Sequence, residues 1–373
     1  MIGGGPAGAS LAAHLAQAGR DVVVIEREAG PAHKVCGEFV SVEAAGYLSR
    51  LGIDLAGLGA VPIRTVRLWK GAWGAQARLP FPAWSLSRKV LDEAILERAE
   101  GFGAKVRRGA RASGVEKSPN GWRIHSVGDL DEAADLFLAV GKHDLKGWRR
   151  PPGRQSDLVG FKLHWRLTPA AAAMGEGASE LFLFPGGYAG LEPVEGGAAN
   201  LCVLVRKSAL KAAGGGWDGV LEHMRRTNPS LDARLSGAGP LWPRPLAIAA
   251  LPYGHLHPGG GPWRLGDQAA VIPSFAGDGL AIALHSARRA AEAYLTGEGA
   301  EAFHRRLAAD LRGQMERAVW LSRAMVRPWS QTALAAAAQA WPDVLSLTAR
   351  GTRISRAALP ADLAFVELSR AGA

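Results

Sequence analysis

Ile2-Gly3-Gly4-Gly5-Pro6-Ala7-Gly8, followed by an apolar pattern to Ala18 and by Asp21-Val22-Val23-Val24-Ile25-Glu26, decides the fold. Gly3, Gly5 and Gly8 fit G-x-G-x-x-G. The first glycine allows a tight turn, the second lets a pyrophosphate approach the backbone, and the third lets a helix pack closely on a strand. The helix predicted from about Pro6 to Ala18 turns Leu11, Leu15 and Ala18 inward, and Gly19 stops it. Asp21 to Ile25 reads as a buried parallel strand. Glu26 stands at its carboxyl end, where a carboxylate accepts both hydroxyls of an adenosine ribose. Turn, helix, strand and acid in this order predict a dinucleotide site for FAD or NAD.

Only Met1 and Ile2 precede the turn, where a strand of about five residues is expected in the middle of the sheet. Its loss would leave hydrogen-bonding edges open on both neighbours. Two readings remain: a misassigned or trimmed start, and a short first strand held at some cost in stability.

The 373 residues suit two domains sharing one architecture, with ample core. Net charge is +10, from 44 Lys and Arg against 34 Asp and Glu, but the basic residues are scattered and no run interleaves them with aromatics. Nucleic acid is therefore not an expected partner, and a diphosphate cofactor with an acidic or phenolic substrate accounts for the sign. Cys36 and Cys202 alone exclude a disulfide framework and favour a reducing, cytoplasmic location. No apolar run reaches the roughly 18 residues that span a bilayer. The nucleotide turn occupies the place of a signal peptide. A greasy substrate would require at most peripheral contact with membrane.

Residues 1–150 are expected to form the first part of the nucleotide-binding domain, with a small β excursion at 64–80 and strands including Gly121 to Val127. Ser87 is a plausible cap for a helix opening at Arg88 and running through Phe102. Asp135 to Val140 reads as a buried parallel strand entering Gly141. Residues 151–255 read as an antiparallel sheet with a helix from Trp217 to Arg226, inserted as a substrate domain. Residues 256–300 return to the first domain, and 301–373 form a C-terminal helical region.

The second informative stretch is Leu265-Gly266-Asp267, continuing through Pro273 to Gly277-Asp278-Gly279-Leu280 and into a helix. A carboxylate at a strand end can accept hydrogen bonds from a ribityl chain. Glycines at 277 and 279 let a flat ring lie against the backbone at a helix N-terminus, where free N–H groups favour negative charge.

With these residues quoted, the chain resembles the flavoprotein superfamily of aromatic-ring, p-hydroxybenzoate hydroxylase-like monooxygenases and geranylgeranyl reductases. The turn from Gly3 to Gly8 with Glu26 matches that family's first FAD motif, Asp135 to Gly141 its following strand, and Gly266 to Gly279 its second FAD motif. The resemblance implies an α/β fold with a Rossmann-like FAD domain, an inserted antiparallel substrate sheet and C-terminal helices. It implies FAD contacts at Gly3, Gly5, Pro6, Ala7, Gly8, Glu26, Arg27, Arg88, Ala112, Gly266, Asp267, Pro273, Gly277, Gly279 and Leu280. Two departures matter. The place of the monooxygenases' Asp-Gly motif reads Gly141-Lys142-His143-Asp144-Leu145-Lys146-Gly147, which puts NAD(P)H as reductant in question. Lys34-Val35-Cys36-Gly37-Glu38 looks more like the Cys-Gly loop of the reductases.

Candidate catalytic residues are Cys36, His164, Tyr188 and Asp278, each weighed against a plain packing role, with helix capping the stronger role for Asp278. His255 and His257 lack carboxylate or cysteine company, so no metal is expected. The leading expectation is an FAD-dependent monooxygenase hydroxylating a small aromatic or polyketide-like substrate. The alternatives are a flavin reductase acting on a carbon–carbon double bond and a non-catalytic FAD-binding protein. Halogenation ranks lower, since a Trp-x-Trp-x-Ile-Pro signature is missing.

Overall fold

A computed structural model describes residues 1–126 and 129–364. Val127, the expected end of a strand, and residues 365–373 of the expected helical tail lie outside the described residues.

The glycine turn leaves a parallel sheet ordered Lys105–Arg107, Val23–Ile25, Met1-Ile2, Phe137–Leu138, Trp263–Arg264. Two residues satisfy both central edges. Ile2 N–H donates to Phe137 O at 2.9 Å and Ile2 O accepts from Ala139 N–H at 2.8 Å, while Ile25 N–H donates to Met1 O and Gly3 N–H to Ile25 O, each at 2.9 Å. The Met1 amino group donates to Val23 O at 2.7 Å. Met1 and Ile2 thus serve as the central strand, and burial of the amino group pushes its pKa down to about 6.

The helix Pro6–Gln17 packs between Arg88–Gly101 and Gly279–Leu295, and Leu11, Leu15, Leu91, Ile95 and Leu284 bury their side chains there. Ser87 caps its helix as expected, its hydroxyl accepting from Val90 N–H at 3.3 Å. A three-stranded antiparallel sheet, Ala112–Ser118, Gly121–Ser126 and Asp129–Ala133, lies beside this domain.

The substrate sheet is larger than expected. The excursion expected at 64–80 is a hairpin of Val61–Lys70 and Trp73–Ser85, and its first strand pairs in parallel with Ala178–Phe184. It thus extends the sheet built from Leu158–Arg166, Ala198–Arg206, Gly187–Val194 and Ala178–Phe184, which is antiparallel except at that one pairing. Alternation in the hairpin reveals strands but not a partner more than a hundred residues away. One sheet face, with Phe161, Leu163, Leu201 and Val203, is covered by the helices Trp217–Thr227 and Pro229–Leu235. The other face, with Leu158, Tyr188, Cys202 and Leu204, turns toward Tyr253 and Val271.

The helices Ala300–Met325, Pro328–Ala340 and Asp343–Gly351 follow, the last two packing on the Val61–Ser85 hairpin. Among the described residues no helix is long and apolar enough to cross a membrane.

Candidate active site

The turn requires glycine for a measurable reason. A Cβ on Gly8 would stand 1.9 Å from Gly3 O, and Gly3 itself has φ +101° with its carbonyl neighbour Ala139 O 2.4 Å from any added Cβ. The helix beginning at Pro6 has no side-chain cap, so its first N–H groups stay open to an anion. Gly5, Pro6 and Ala7 line a cavity. Gly3, Gly8 and Glu26 stand behind them as bracing. Gly4 N–H donates to Glu26 Oε2 at 2.6 Å and Glu28 N–H to Oε1 at 2.9 Å, fixing the carboxylate beside the turn with lone pairs to spare.

Arg88 lines the same cavity, its guanidinium held by Asp92 through bonds of 2.5 and 2.7 Å. Gly266, Asp267, Gly277, Gly279 and Leu280 line it too, although more than 250 residues separate them from the turn. Gly266 N–H donates to Ser286 Oγ at 2.9 Å, and a Cβ on Gly277 would stand 2.7 Å from the Phe39 ring. Arg150 ties the Gly141–Gly147 segment to Asp267: it donates to Asp267 O at 2.7 Å, to Asp144 Oδ1 at 2.7 Å and to Lys142 O at 2.6 Å. Asp144 is thereby committed to an arginine.

Besides Gly3, Gly8 and Glu26, three more residues expected at the cofactor lie outside the lining. Arg27 pairs with Glu28 at 3.1 Å on the surface, Ala112 opens an antiparallel strand and packs near Ile2 and Trp122, and Pro273 sits between Ile272 and Ser274, which do face the cavity. Asp278 corrects the expectation of a cap. Its side chain turns inward, accepting from Ser41 Oγ at 3.3 Å and Gln314 Nε2 at 3.0 Å and pairing with the Arg353 guanidinium at 3.0 Å. Burial outweighs Arg353 and pushes its pKa up to about 7. It braces the glycines on either side of it and does not line the cavity.

His164 is likewise one layer removed. It and Lys162 rise from Leu158–Arg166 beneath the Cys-Gly loop and meet Glu38, His164 Nε2 at 2.7 Å and Lys162 Nζ in a closer pair. Arg88 N–H donates to Glu38 Oε1 at 2.8 Å. Burial alone would raise the pKa of Glu38, but His164 and Lys162 prevail and hold it below the usual carboxylate range. Glu38 also carries φ +68°, a strained backbone for a residue with a side chain. The loop is pinned further by Asn200 Nδ2, which donates to Cys36 O at 3.0 Å and Gly37 O at 2.8 Å. Cys36 is thus held half-buried against the cavity. His33, Glu38 and His164 bring ligand atoms within 4.8 Å of one another, but the Lys162 ammonium already occupies the carboxylate a cation would need.

The sheet supplies the floor: Ser179, Leu181, Tyr188, Gly190, Glu192 and Leu204. Tyr188 is buried, its hydroxyl accepting from Phe275 N–H at 3.3 Å, and burial raises its pKa, so it supports the Ser274–Gly277 segment as a neutral phenol. Glu192 escaped the sequence reading. Ser179 Oγ donates to its Oε1 at 2.5 Å, Oε2 has no partner, and burial pushes its pKa up to about 8. The buried Ser85 hydroxyl lies beside the same carboxyl and, with Ser179, opposes that rise. The only sequence signal was an acid amid the apolar run of Gly187–Val194. Val66, Leu79, Phe81 and Phe275 make much of the remaining wall apolar.

Residues 1–132 match the family model described as FAD binding domain. Over 324 residues the chain is 30% identical to the menaquinone reductase of Mycolicibacterium smegmatis, covering 80% of this chain and 76% of that protein. The chain belongs to the FAD-dependent oxidoreductases of the p-hydroxybenzoate hydroxylase-like superfamily. This oxidoreductase is also 31% identical to digeranylgeranylglycerophospholipid reductase 1 of Methanothermobacter thermautotrophicus over 134 residues, 33% of this chain and 32% of that protein. Among solved structures it resembles the flavin-dependent brominase Bmp2, with a TM-score of 0.75 at 18% identity over 97% of this chain and 95% of that one, a likeness of fold. The residues fit FAD: an uncapped helix N-terminus for the diphosphate, a braced acid for the ribose, and two glycines where a flat ring needs bare backbone.

Proposed function

We propose that this oxidoreductase is a reductase that saturates a carbon–carbon double bond in an apolar, isoprenoid- or quinone-bearing lipid. One observation carries the reading: Glu192 places a buried carboxyl on the cavity floor, and burial pushes its pKa up to about 8, the range of a general acid at neutral pH. Bound FAD, once reduced, supplies a hydride. The chain's own part is to deliver the matching proton. Glu192 would give its proton to one carbon of the double bond as the other gains the hydride, and the resulting carboxylate would be reprotonated from solvent. Gly5, Ala7 and Arg88 would hold the diphosphate, Asp267 the ribityl chain, and Gly277 and Gly279 the ring edge. Leu79, Phe81 and Leu181 exclude water around a hydrocarbon substrate. The reductase names of both relatives and the Cys36-Gly37 loop support this over hydroxylation. NAD(P)H is the proposed reductant, bound without the help of Asp144.

The test is the mass of the product. Chemically reduced protein mixed anaerobically with a prenylated quinone should yield a product that stays heavier by two hydrogens after its ring is reoxidised to the quinone, which places them on the side chain and not on the ring. Product formed only with dioxygen, and carrying one added oxygen, would instead establish a monooxygenase.

A further inference from the structure

Between Arg327 and Asp343 the chain carries no charged side chain. Thirteen of these residues form the helix Pro328–Ala340, which buries Ser330, Gln331, Ala335 and Ala338 and turns Trp329, Thr332, Gln339 and four alanines outward. A surface helix ordinarily presents charges to water. This one presents none, and it is bracketed by two tryptophans, Trp329 at 72% exposure and Trp341 at 54%. Of nine exposed large apolar side chains among the described residues, four lie between Trp320 and Leu347. An uncharged outer face bounded by Trp329 and Trp341 is the kind of exposed apolar surface that marks a contact site.

The charge around the helix selects the occupant. Residues 312–360 hold seven arginines against two acids, Glu316 and Asp343. Six of the arginines are exposed, and Arg353 is buried with Asp278. A second copy of the chain docking here about a two-fold axis would set arginines against arginines. A lipid surface with anionic headgroups meets the same charge favourably, and tryptophan is the side chain suited to the headgroup level. The next helix, Asp343–Gly351, exposes Leu347 on one side while Leu345, Thr348 and Ala349 line the cavity on the other. The uncharged face therefore adjoins a wall of the active-site cavity.

We propose that the outer face of Pro328–Ala340, anchored by Trp329 and Trp341 and flanked by exposed arginines, docks the protein on an anionic lipid surface. An apolar substrate then passes from that surface to the cavity past Asp343–Gly351. The docking goes beyond the reductase reading and is measured without turnover, so either can fail alone.

The experiment is co-sedimentation of the FAD-loaded protein with vesicles of phosphatidylcholine alone and of phosphatidylcholine with phosphatidylglycerol. The protein should partition at least tenfold better to the anionic vesicles. Trp329→Ser/Trp341→Ser should lose at least tenfold in that binding with flavin absorbance and melting temperature unchanged, and Arg327→Gln/Arg350→Gln should lose the preference for anionic vesicles. Absent binding, equal binding to both vesicles, or binding untouched by the tryptophan substitutions overturns the proposal. So does a concentration-dependent dimer, seen by sedimentation velocity, that the tryptophan substitutions dissociate, since the face would then belong to a second copy.

Discussion

The Ser179 hydroxyl donates a 2.5 Å hydrogen bond to Oε1 of Glu192 and leaves Oε2 of that carboxyl buried on the cavity floor with no partner. Burial places the pKa near 8, so the group is an acid ready to give up a proton at neutral pH. Glu192→Gln keeps the shape and removes the proton. Turnover should fall by about 10²-fold or more with FAD content unchanged. The wild-type rate should decline as pH rises past about 8, and the residual rate of the variant should lack that decline. Steady-state rates across the pH range, with flavin content read from the visible spectrum, check both.

The same carboxyl writes a pH dependence into stability. Its pKa rises from 4.5 in the unfolded chain to about 8 in the folded one. The folded state then holds a proton that the unfolded state releases. The contribution is fully present below about pH 4.5 and is lost as pH rises to about 8, with a slope of at most about 1.4 kcal/mol per pH unit. Glu192→Gln has no such proton. Its stability relative to wild type should therefore increase from pH 5 to pH 8 and level off above, as measured by urea unfolding at each pH.

At the glycine turn, Gly8→Val must displace Gly3 O, which already stands 1.9 Å from an added Cβ. The purified variant should carry almost no FAD. Asp267→Ala should loosen FAD by about 1.5–3 kcal/mol, the worth of a charged hydrogen bond, measured by fluorescence titration of the apoprotein. Stoichiometric FAD in both variants would detach the two glycine stretches from the cofactor.

These two stretches were legible in sequence because each joins a local turn to a local element, and the order of strand, turn, helix and acid has few other uses. The substrate sheet was only half legible. Alternation marks Val61–Lys70 as a strand, but its parallel partner Ala178–Phe184 is set by packing across the molecule. The catalytic candidates fared worst for the same reason. Asp278 between two glycines looks like a cap until Arg353 and Gln314, far along the chain, claim its oxygens. His164 and Lys162 both meet Glu38 of the Cys-Gly loop, a contact between segments more than a hundred residues apart. Glu192 draws its acidity from burial, which one acid in an apolar strand does not announce.

The pinned Cys-Gly loop predicts a second stability effect. Glu38→Gln strips the fully buried Lys162 of its counter-charge and should cost about 3–5 kcal/mol in chemical denaturation. Adding Lys162→Met should recover much of that loss. Failure of the second substitution to recover it would mean that the strained backbone at Glu38, and not the charge pair, dominates the loop.

The most direct test is anaerobic stopped-flow reoxidation of the reduced flavin by a polyprenyl lipid that carries no quinone ring, where only a carbon–carbon double bond can take the hydride. The wild type should reoxidise rapidly without dioxygen, its rate falling as pH rises through about 8, and Glu192→Gln should be about 10²-fold slower below that pH, the gap narrowing above it. A flavin that stays reduced until dioxygen is admitted, or one that Glu192→Gln reoxidises as fast as wild type, would contradict it.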